Sequence, residues 1–280
     1  MSKRNLPQAL VGANPNVRSD FSTGVINRWN PDVRLASEGE ADASISILDP
    51  IGADWWGEGV TAKRISAALR SIGERPVTVL VNSPGGDYFE GLAIYNALRD
   101  HKAEVTVKIL GLAASAASVI AMAGDKIQIA RAGFLMIHNC WVLAAGDRHA
   151  MREVADWLEP FDAAGVDIYA ARTGIDPKKI GQMLDRETWI GGASAIDQGF
   201  ADEFLEADQI ETGARQEAGA VPRAEKKFEI LARKAGLSRS EGREILAGLK
   251  GGKLDAASNG KPDAAVLQEV AGLLERIKQL

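Results

Sequence analysis

"VTVKILGLAASAASVIAMAG", Val105 to Gly124, passes from a β-branched run into a stretch of almost nothing but small and apolar residues. Val105–Leu110 reads as a buried strand and Ala113–Ala123 as the helix that follows it. Ser115 stands at the junction, with alanines on both sides. In the first turn of a helix the peptide N–H groups are unpaired and carry partial positive charge. The Ala116 N–H, beside an uncrowded hydroxyl, therefore suits a developing oxyanion. Close packing of helix on sheet selects Ala and Ser as well, and this stretch alone does not separate the two readings. Ser118, one helical turn further on, reads as packing inward.

The same strand–helix alternation continues on both sides. Upstream, "ASISILD" alternates as a strand does, and "GVTAKRISAALRSIG" puts Val60, Ile65, Leu69 and Ile72 on one helical face ending at Gly73. "RPVTVLVNSPGG" is a β-branched strand running into a Pro-Gly-Gly turn, and "DYFEGLAIYNALRD" is again helical, with Phe89, Leu92 and Leu98 as its apolar stripe. Downstream, "DKIQIA" and "FLMIHN" are short strands, and Arg148–Arg172 is a long helix broken or restarted at Pro160. "DPKKIGQMLD" is a short helix with Pro177 in its first turn. The alternation predicts an α/β protein of parallel βαβ units with helices outside a sheet.

Both ends differ from this middle. Residues 1–42 are polar, carry "NPN" and "NPD" turn signals and read as a loosely structured N-terminal arm. Residues 206–280 read as linker and helical extension. There, Phe228–Leu249 suits a helical hairpin with Ser238 and Glu241 as a capping box, and Val266, Val270, Leu273, Leu274 and Ile277 share one face of a closing helix that reads as partner-binding or self-associating.

With 280 residues and a net charge of −5, the chain has no basic footprint for nucleic acid. A single cysteine, Cys140, rules out an internal disulfide and a cysteine-rich zinc site. No run is apolar and long enough to span a bilayer, and "MSKRNLPQALVG" lacks the apolar stretch of a signal peptide. The expected compartment is the cytoplasm, with no membrane or nucleic-acid partner and no cofactor or metal.

Three histidines restrict the choice of a general base. His101 in "LRDHKAE" and His149 in "GDRHAMRE" read as solvated, whereas His138 closes the apolar half of a strand. "NSPGGD" adds Gly85 and Gly86 between a strand and a helix, where their N–H groups can face a cleft. It lacks the Gly-Lys-Ser/Thr ending of a phosphate loop and the G-x-S-x-G pattern of an α/β-hydrolase elbow.

In order and spacing, "NSPGGD", "GLAASAAS", "MIHN" and "DRETWIGGASAIDQGFADEF" resemble the ClpP serine peptidases, most nearly the ClpP-like head-maturation proteases of tailed phages and prophages. The resemblance covers residues 43–205 and implies a ClpP/crotonase-like fold of repeated β-β-α and βαβ units. It implies Ser115 as nucleophile, His138 as base, and Gly86 and Ala116 as oxyanion donors with Gly85 beside them. Matching "AIDQGFAD" to the family's closing segment puts Glu187 at the third catalytic position, where ClpP has Asp; Asp185 is the reserve. Cys140 stands where the family has proline, and reads as a packed thiol.

The resemblance further implies protein or peptide substrates, scaffold and capsid proteins or the chain's own tail among them, and a homo-oligomeric ring in the cytoplasm, that of a host cell if the chain is phage-encoded. An ATPase unfoldase is the partner under the alternative of a general Clp protease. A Ser–Lys peptidase, a crotonase-like acyl-CoA enzyme and an inactive ring-forming scaffold are the competing classes.

Overall fold

A computed structural model describes residues 18–19, 23–31, 33–35, 43–53, 59–206, 210–212, 228–229, 232 and 237–251. Contacts divide them into two units, one holding everything described up to Thr212, the other the described residues from Phe228 onward.

The first unit is built on a seven-stranded sheet. Strands β3 (Ala43–Ile47), β6 (Val77–Ser83) and β7 (Val105–Ala114) lie side by side and parallel. The ten residues of β7 serve two further parallel neighbours. Thr106–Ile109 pair with β8 (Lys126–Ile129), and Leu112–Ala114 pair with β9 (Phe134–Ile137). Two short strands complete the sheet: β11 (Thr188–Gly191) runs antiparallel beside β9, and β12 (Glu203–Phe204) parallel beside β8. Three small ribbons lie off it, pairing β1 (Arg18–Ser19) with β10 (Val142–Leu143), β2 (Val33–Leu35) with β13 (Ile210–Thr212), and β4 (Gly52–Ala53) with β5 (Gly59–Val60).

Parallel strands of this kind are buried on both faces, which is why they read as near-continuous Val/Ile runs. Val79 and Val81 of β6 enter the large core with Ile65, Leu69, Leu92 and Tyr95, while Leu80 between them joins Val33, Leu110, Ala130 and Leu205 on the other side. The helices on the large core are α2 (Ala62–Ile72), α3 (Tyr88–Arg99), α4 (Ala116–Ala121), α5 (Arg148–Thr173), α6 (Pro177–Asp185) and α7 (Gly192–Asp197); α1 (Thr23–Arg28) precedes them all. Their caps follow local rules. Asp87 accepts from the Phe89 and Glu90 N–H groups, Asp147 from His149 and Ala150, and Asp176 from Lys178 and Lys179.

Four expectations are corrected. Ala113 and Ala114 belong to β7 rather than to a helix, because β9 offers them a ladder; the helix begins only at Ala116. Pro160 does not break α5. It lies on an exposed side, where the carbonyl that loses its partner to the ring is open to solvent. Thr188–Gly191, which the sequence reading leaves outside any element, is a strand and the sheet's one antiparallel member. Finally, part of the arm expected to be loose is folded, with Val25, Ile26, Trp29 and Val33 buried.

Asn82 fastens that segment. Its side-chain N–H groups donate to the Asn30 carbonyl at 2.7 Å and the Val33 carbonyl at 3.3 Å, its Oδ1 accepts from the Leu112 N–H at 3.1 Å, and its own carbonyl accepts from Trp29 Nε1 at 2.9 Å. Asn82→Ala leaves the buried Leu112 N–H without its acceptor and takes one donor each from the Asn30 and Val33 carbonyls. A loss of about 2–4 kcal/mol is expected, read as a lower urea midpoint at unchanged slope.

In the second unit α8 (Arg239–Gly251) starts at the expected capping box. The Ser238 N–H donates to Glu241 Oε2 at 2.8 Å, and the Glu241 N–H donates to Ser238 Oγ at 3.3 Å. The closing helix with Val266 and Ile277 lies outside the described residues, and so does most of both linkers; where the first is described, Ile210–Thr212 is a strand paired with β2 rather than linker, and Lys250–Gly251 of the second end α8.

Candidate active site

Ser115 is the residue at which β7 ends and α4 begins, and His138 follows the last residue of β9. The two strands are parallel neighbours with Ala114 opposite Met136, so their C-terminal ends emerge together. The Ser115 N–H donates to the Met136 carbonyl at 2.8 Å, and this bond sets the side chains beside each other. Ser115 Oγ lies 2.7 Å from His138 Nε2. Residues 23 positions apart in the chain thus form a hydroxyl–imidazole pair at the carboxyl edge of a parallel sheet, where open α/β folds place their sites.

On the other side of β7, β6 delivers the glycine turn. A register shift between Val81 and Ser83 brings Ser83 opposite Ala113, and the chain then turns through Pro84, Gly85 and Gly86. Gly85 (φ +88°) passes so close to the serine that a Cβ there would lie 2.6 Å from the Ala114 carbonyl oxygen and 2.7 Å from Ser115 Cβ. At Gly86 (φ +144°) a Cβ would meet the Ile51 carbonyl oxygen at 2.3 Å. Only glycine fits either position. Ile51 clamps the turn: its N–H donates to the Gly85 carbonyl at 2.7 Å, and its carbonyl accepts from the Asp87 N–H at 3.0 Å. The Gly85 N–H donates to Ser83 Oγ at 3.2 Å, so Gly85 contributes space rather than a free donor. Among the hydrogen bonds of the described residues none uses the Gly86 N–H or the Ala116 N–H.

Glu187 follows the C-cap of α6 and immediately precedes β11, the strand antiparallel to β9. Thr188 is opposite Ile137 in that pairing, so Glu187 arrives next to His138. Its Oε1 accepts from Trp189 Nε1 at 3.3 Å, and its Oε2 has no hydrogen bond among the described residues. The carboxylate acts on the imidazole as a charge. Burial pushes the His138 pKa below its ordinary value of 6.5, and the negative charge of Glu187 opposes that shift without cancelling it. The reserve acid, Asp185, is engaged elsewhere: its Oδ1 accepts from Asn139 Nδ2 at 2.9 Å.

Strain marks the same two places. Among the described residues, Ser115 (φ +53°) and Glu187 (φ +49°) are the only non-glycine residues with positive φ. Such conformations cost about 1–3 kcal/mol each and persist where the surrounding structure imposes them, which is characteristic of functional sites.

The remaining candidates stand apart. His101 Nε2 bonds the Arg75 carbonyl at 2.8 Å, and His149 is exposed in the first turn of α5. The Cys140 thiol is pushed up to about 12 by burial, with the charges of Asp162 and Asp87 adding to the effect, so it stays protonated and inert as a nucleophile. Its backbone N–H donates to Asp162 Oδ1 at 2.6 Å, which ties the segment after His138 to α5. No pattern in the sequence announces Asp162. Trp189 has a signal in the aromatic residue that follows the family's acid, but its indole bond to Glu187 needs coordinates. Among the described residues no three His, Cys, Asp or Glu side chains converge as a metal would require, and no helix is long and apolar enough to cross a membrane.

Comparison with known proteins agrees with this arrangement. A family model described as Clp protease matches residues 56–208, more than half of the chain. The ATP-dependent Clp protease proteolytic subunit of Deinococcus radiodurans is 28% identical over 148 residues, which is 51% of this chain and 71% of that protein. The ATP-dependent Clp protease proteolytic subunit 2 of Treponema denticola is 32% identical over 130 residues, 45% and 64% of the two chains. Its namesake from Thermobifida fusca is 30% identical over 144 residues, 51% and 71%. With a largely parallel α/β sheet, a serine–histidine pair at its carboxyl edge and a family match over more than half of its length, the chain belongs to the Clp protease family.

Proposed function

We propose that this chain is a serine endopeptidase, the proteolytic subunit of a Clp-type protease, with Ser115, His138 and Glu187 as its triad. The observation that carries the reading is the 2.7 Å contact of Ser115 Oγ with His138 Nε2, beside the N–H groups of Gly86 and Ala116, which no hydrogen bond among the described residues uses. His138 is neutral near pH 7 because burial lowers its pKa, so Nε2 can accept a proton. It takes the Ser115 hydroxyl proton as Oγ bonds to the scissile carbonyl carbon, and the carbonyl oxygen becomes an anion held by Gly86 and Ala116. Each such donor lowers the barrier by about 3 kcal/mol. The C–N bond then breaks, the Nε2 proton goes to the leaving amine, and water repeats the sequence on the acyl-enzyme. Glu187 stabilises the imidazolium that forms between these steps.

The relatives' names carry ATP dependence and a subunit role. For this chain a homo-oligomeric ring fed by an ATPase unfoldase follows as part of the proposal. A narrower role in capsid maturation, with scaffold or capsid proteins or the chain's own tail as substrate, rests on motif resemblance alone, and the relatives' names favour the general Clp reading.

The test treats the purified full chain with a fluorophosphonate and locates the adduct by mass spectrometry, in parallel with degradation of an unfolded protein with and without a Clp ATPase and ATP. A Ser115 adduct together with ATP-stimulated degradation is expected. Labelling with no stimulation, and with trimming of the chain's own tail that is absent in Ser115→Ala, would move the role to maturation. No adduct and no hydrolysis would overturn the peptidase itself.

A further inference from the structure

Ser115 holds φ +53°, ψ −126° and makes no capping bond with its own side chain. Its carbonyl is instead gripped from α4. It accepts from the Ser118 N–H at 2.9 Å, from the Val119 N–H at 3.3 Å, and from the Ser118 hydroxyl at 2.6 Å. Ser118 Oγ also lies 2.7 Å from the hydroxyl of Tyr169, which comes from α5. Both side chains are buried, Ser118 completely.

The direction of these bonds follows from counting hydrogens. The Ser115 carbonyl can only accept, so the single hydroxyl hydrogen of Ser118 points to it. The short contact with Tyr169 must then use the tyrosine hydrogen, donated to a lone pair of Ser118. Burial pushes the phenol's pKa up, which keeps that hydrogen in place at any ordinary pH. The result is a one-way relay from Tyr169 to Ser118 to the Ser115 carbonyl.

That carbonyl shares a peptide plane with the Ala116 N–H. In a trans peptide the C=O and N–H point in opposite directions, so what grips the oxygen aims the hydrogen. Donation to the oxygen also polarises the unit and makes its N–H a stronger donor. We propose that Ser118 and Tyr169 are positioning residues that orient and polarise the Ser115–Ala116 peptide, whose N–H stabilises the oxyanion. The assignment deepens the proposed function, since it rests on Ser115 as nucleophile and Ala116 as donor.

The test is a double-mutant cycle of Ser118→Ala and Tyr169→Phe on the full chain, with kcat and KM for a fluorogenic peptide, the rate of fluorophosphonate acylation, and the melting temperature of each variant. Each single variant is expected to lose about tenfold in kcat and in acylation rate, the worth of one buried hydrogen bond, with KM within twofold. The double variant is expected to lose no more than Ser118→Ala, because Tyr169 acts only through Ser118. Tyr169→Phe deletes one oxygen from an otherwise unchanged shape, and it decides the matter alone if Ser118→Ala does not fold. Folded variants with wild-type kcat, losses confined to KM, or multiplying losses in the double variant would overturn the proposal. A wild type that neither hydrolyses peptide nor labels at Ser115 would instead remove the function on which it rests.

Discussion

Ser115→Ala, His138→Ala and the double variant are each expected to lose peptide hydrolysis by the same factor, on the order of 10^6 in kcat. The equality matters more than the size. A serine hydroxyl is a weak nucleophile until its proton has somewhere to go, and Nε2 at 2.7 Å is the acceptor that Ser115 Oγ meets here. An imidazole with no hydroxyl to activate is equally idle. Removing either member therefore removes the whole step, and removing both costs nothing more. What survives is the contribution of the Gly86 and Ala116 N–H groups, about 10^3-fold over water in comparable sites. Multiplying losses would mean that the two side chains act independently. Activity retained by His138→Ala with Ser115 still required would point to a lysine base instead.

The members of this site differ in how much of them the sequence discloses, and the differences have physical causes. His138 is legible because it closes an apolar strand and Ser115 because it stands just past one, at the start of a helix, and a parallel sheet aligns strand ends whatever the length of chain between them. The glycines are legible as a turn whose N–H groups can face a cleft, but the sequence does not divide the two. That the Gly86 N–H has no partner among the described residues while Gly85 spends its own on Ser83 depends on how Ile51 clamps the loop. Small residues mislead in one place: Ala113 and Ala114 suit a helix by propensity, yet a neighbouring ladder overrides that preference. The segment around Trp29 looks like a loose arm because its few buried side chains are scattered among polar ones. Its anchor, Asn82, is a polar residue inside an apolar strand, where periodicity gives no warning. Tyr169 is hidden for a related reason, since a tyrosine on a core-facing helix reads as packing until its hydroxyl is followed to Ser118.

The third catalytic position is decided by comparing Glu187→Gln with Asp185→Asn. Glu187→Gln is expected to reduce kcat by more than tenfold, because the imidazolium that forms during the reaction loses its stabilising charge. Asp185→Asn is expected to stay within about threefold, because Asp185 holds Asn139 and its charge is not among those that move His138. The pH profile separates a charge effect from general damage. Hydrolysis needs neutral His138, so kcat/KM rises as pH climbs through the imidazole pKa and levels off above it. Burial puts that limb below 6.5 in the wild type, with Glu187 holding it higher than burial alone would. Deleting the charge leaves burial unopposed, so the limb in Glu187→Gln moves to still lower pH while the plateau drops. A limb that moved upward, or a plateau lost equally in Asp185→Asn, would take the role away from Glu187. Trp189→Phe, which removes the indole donor at 3.3 Å and keeps a ring, is expected to lower the plateau by less than tenfold and to leave the acid limb near its wild-type position.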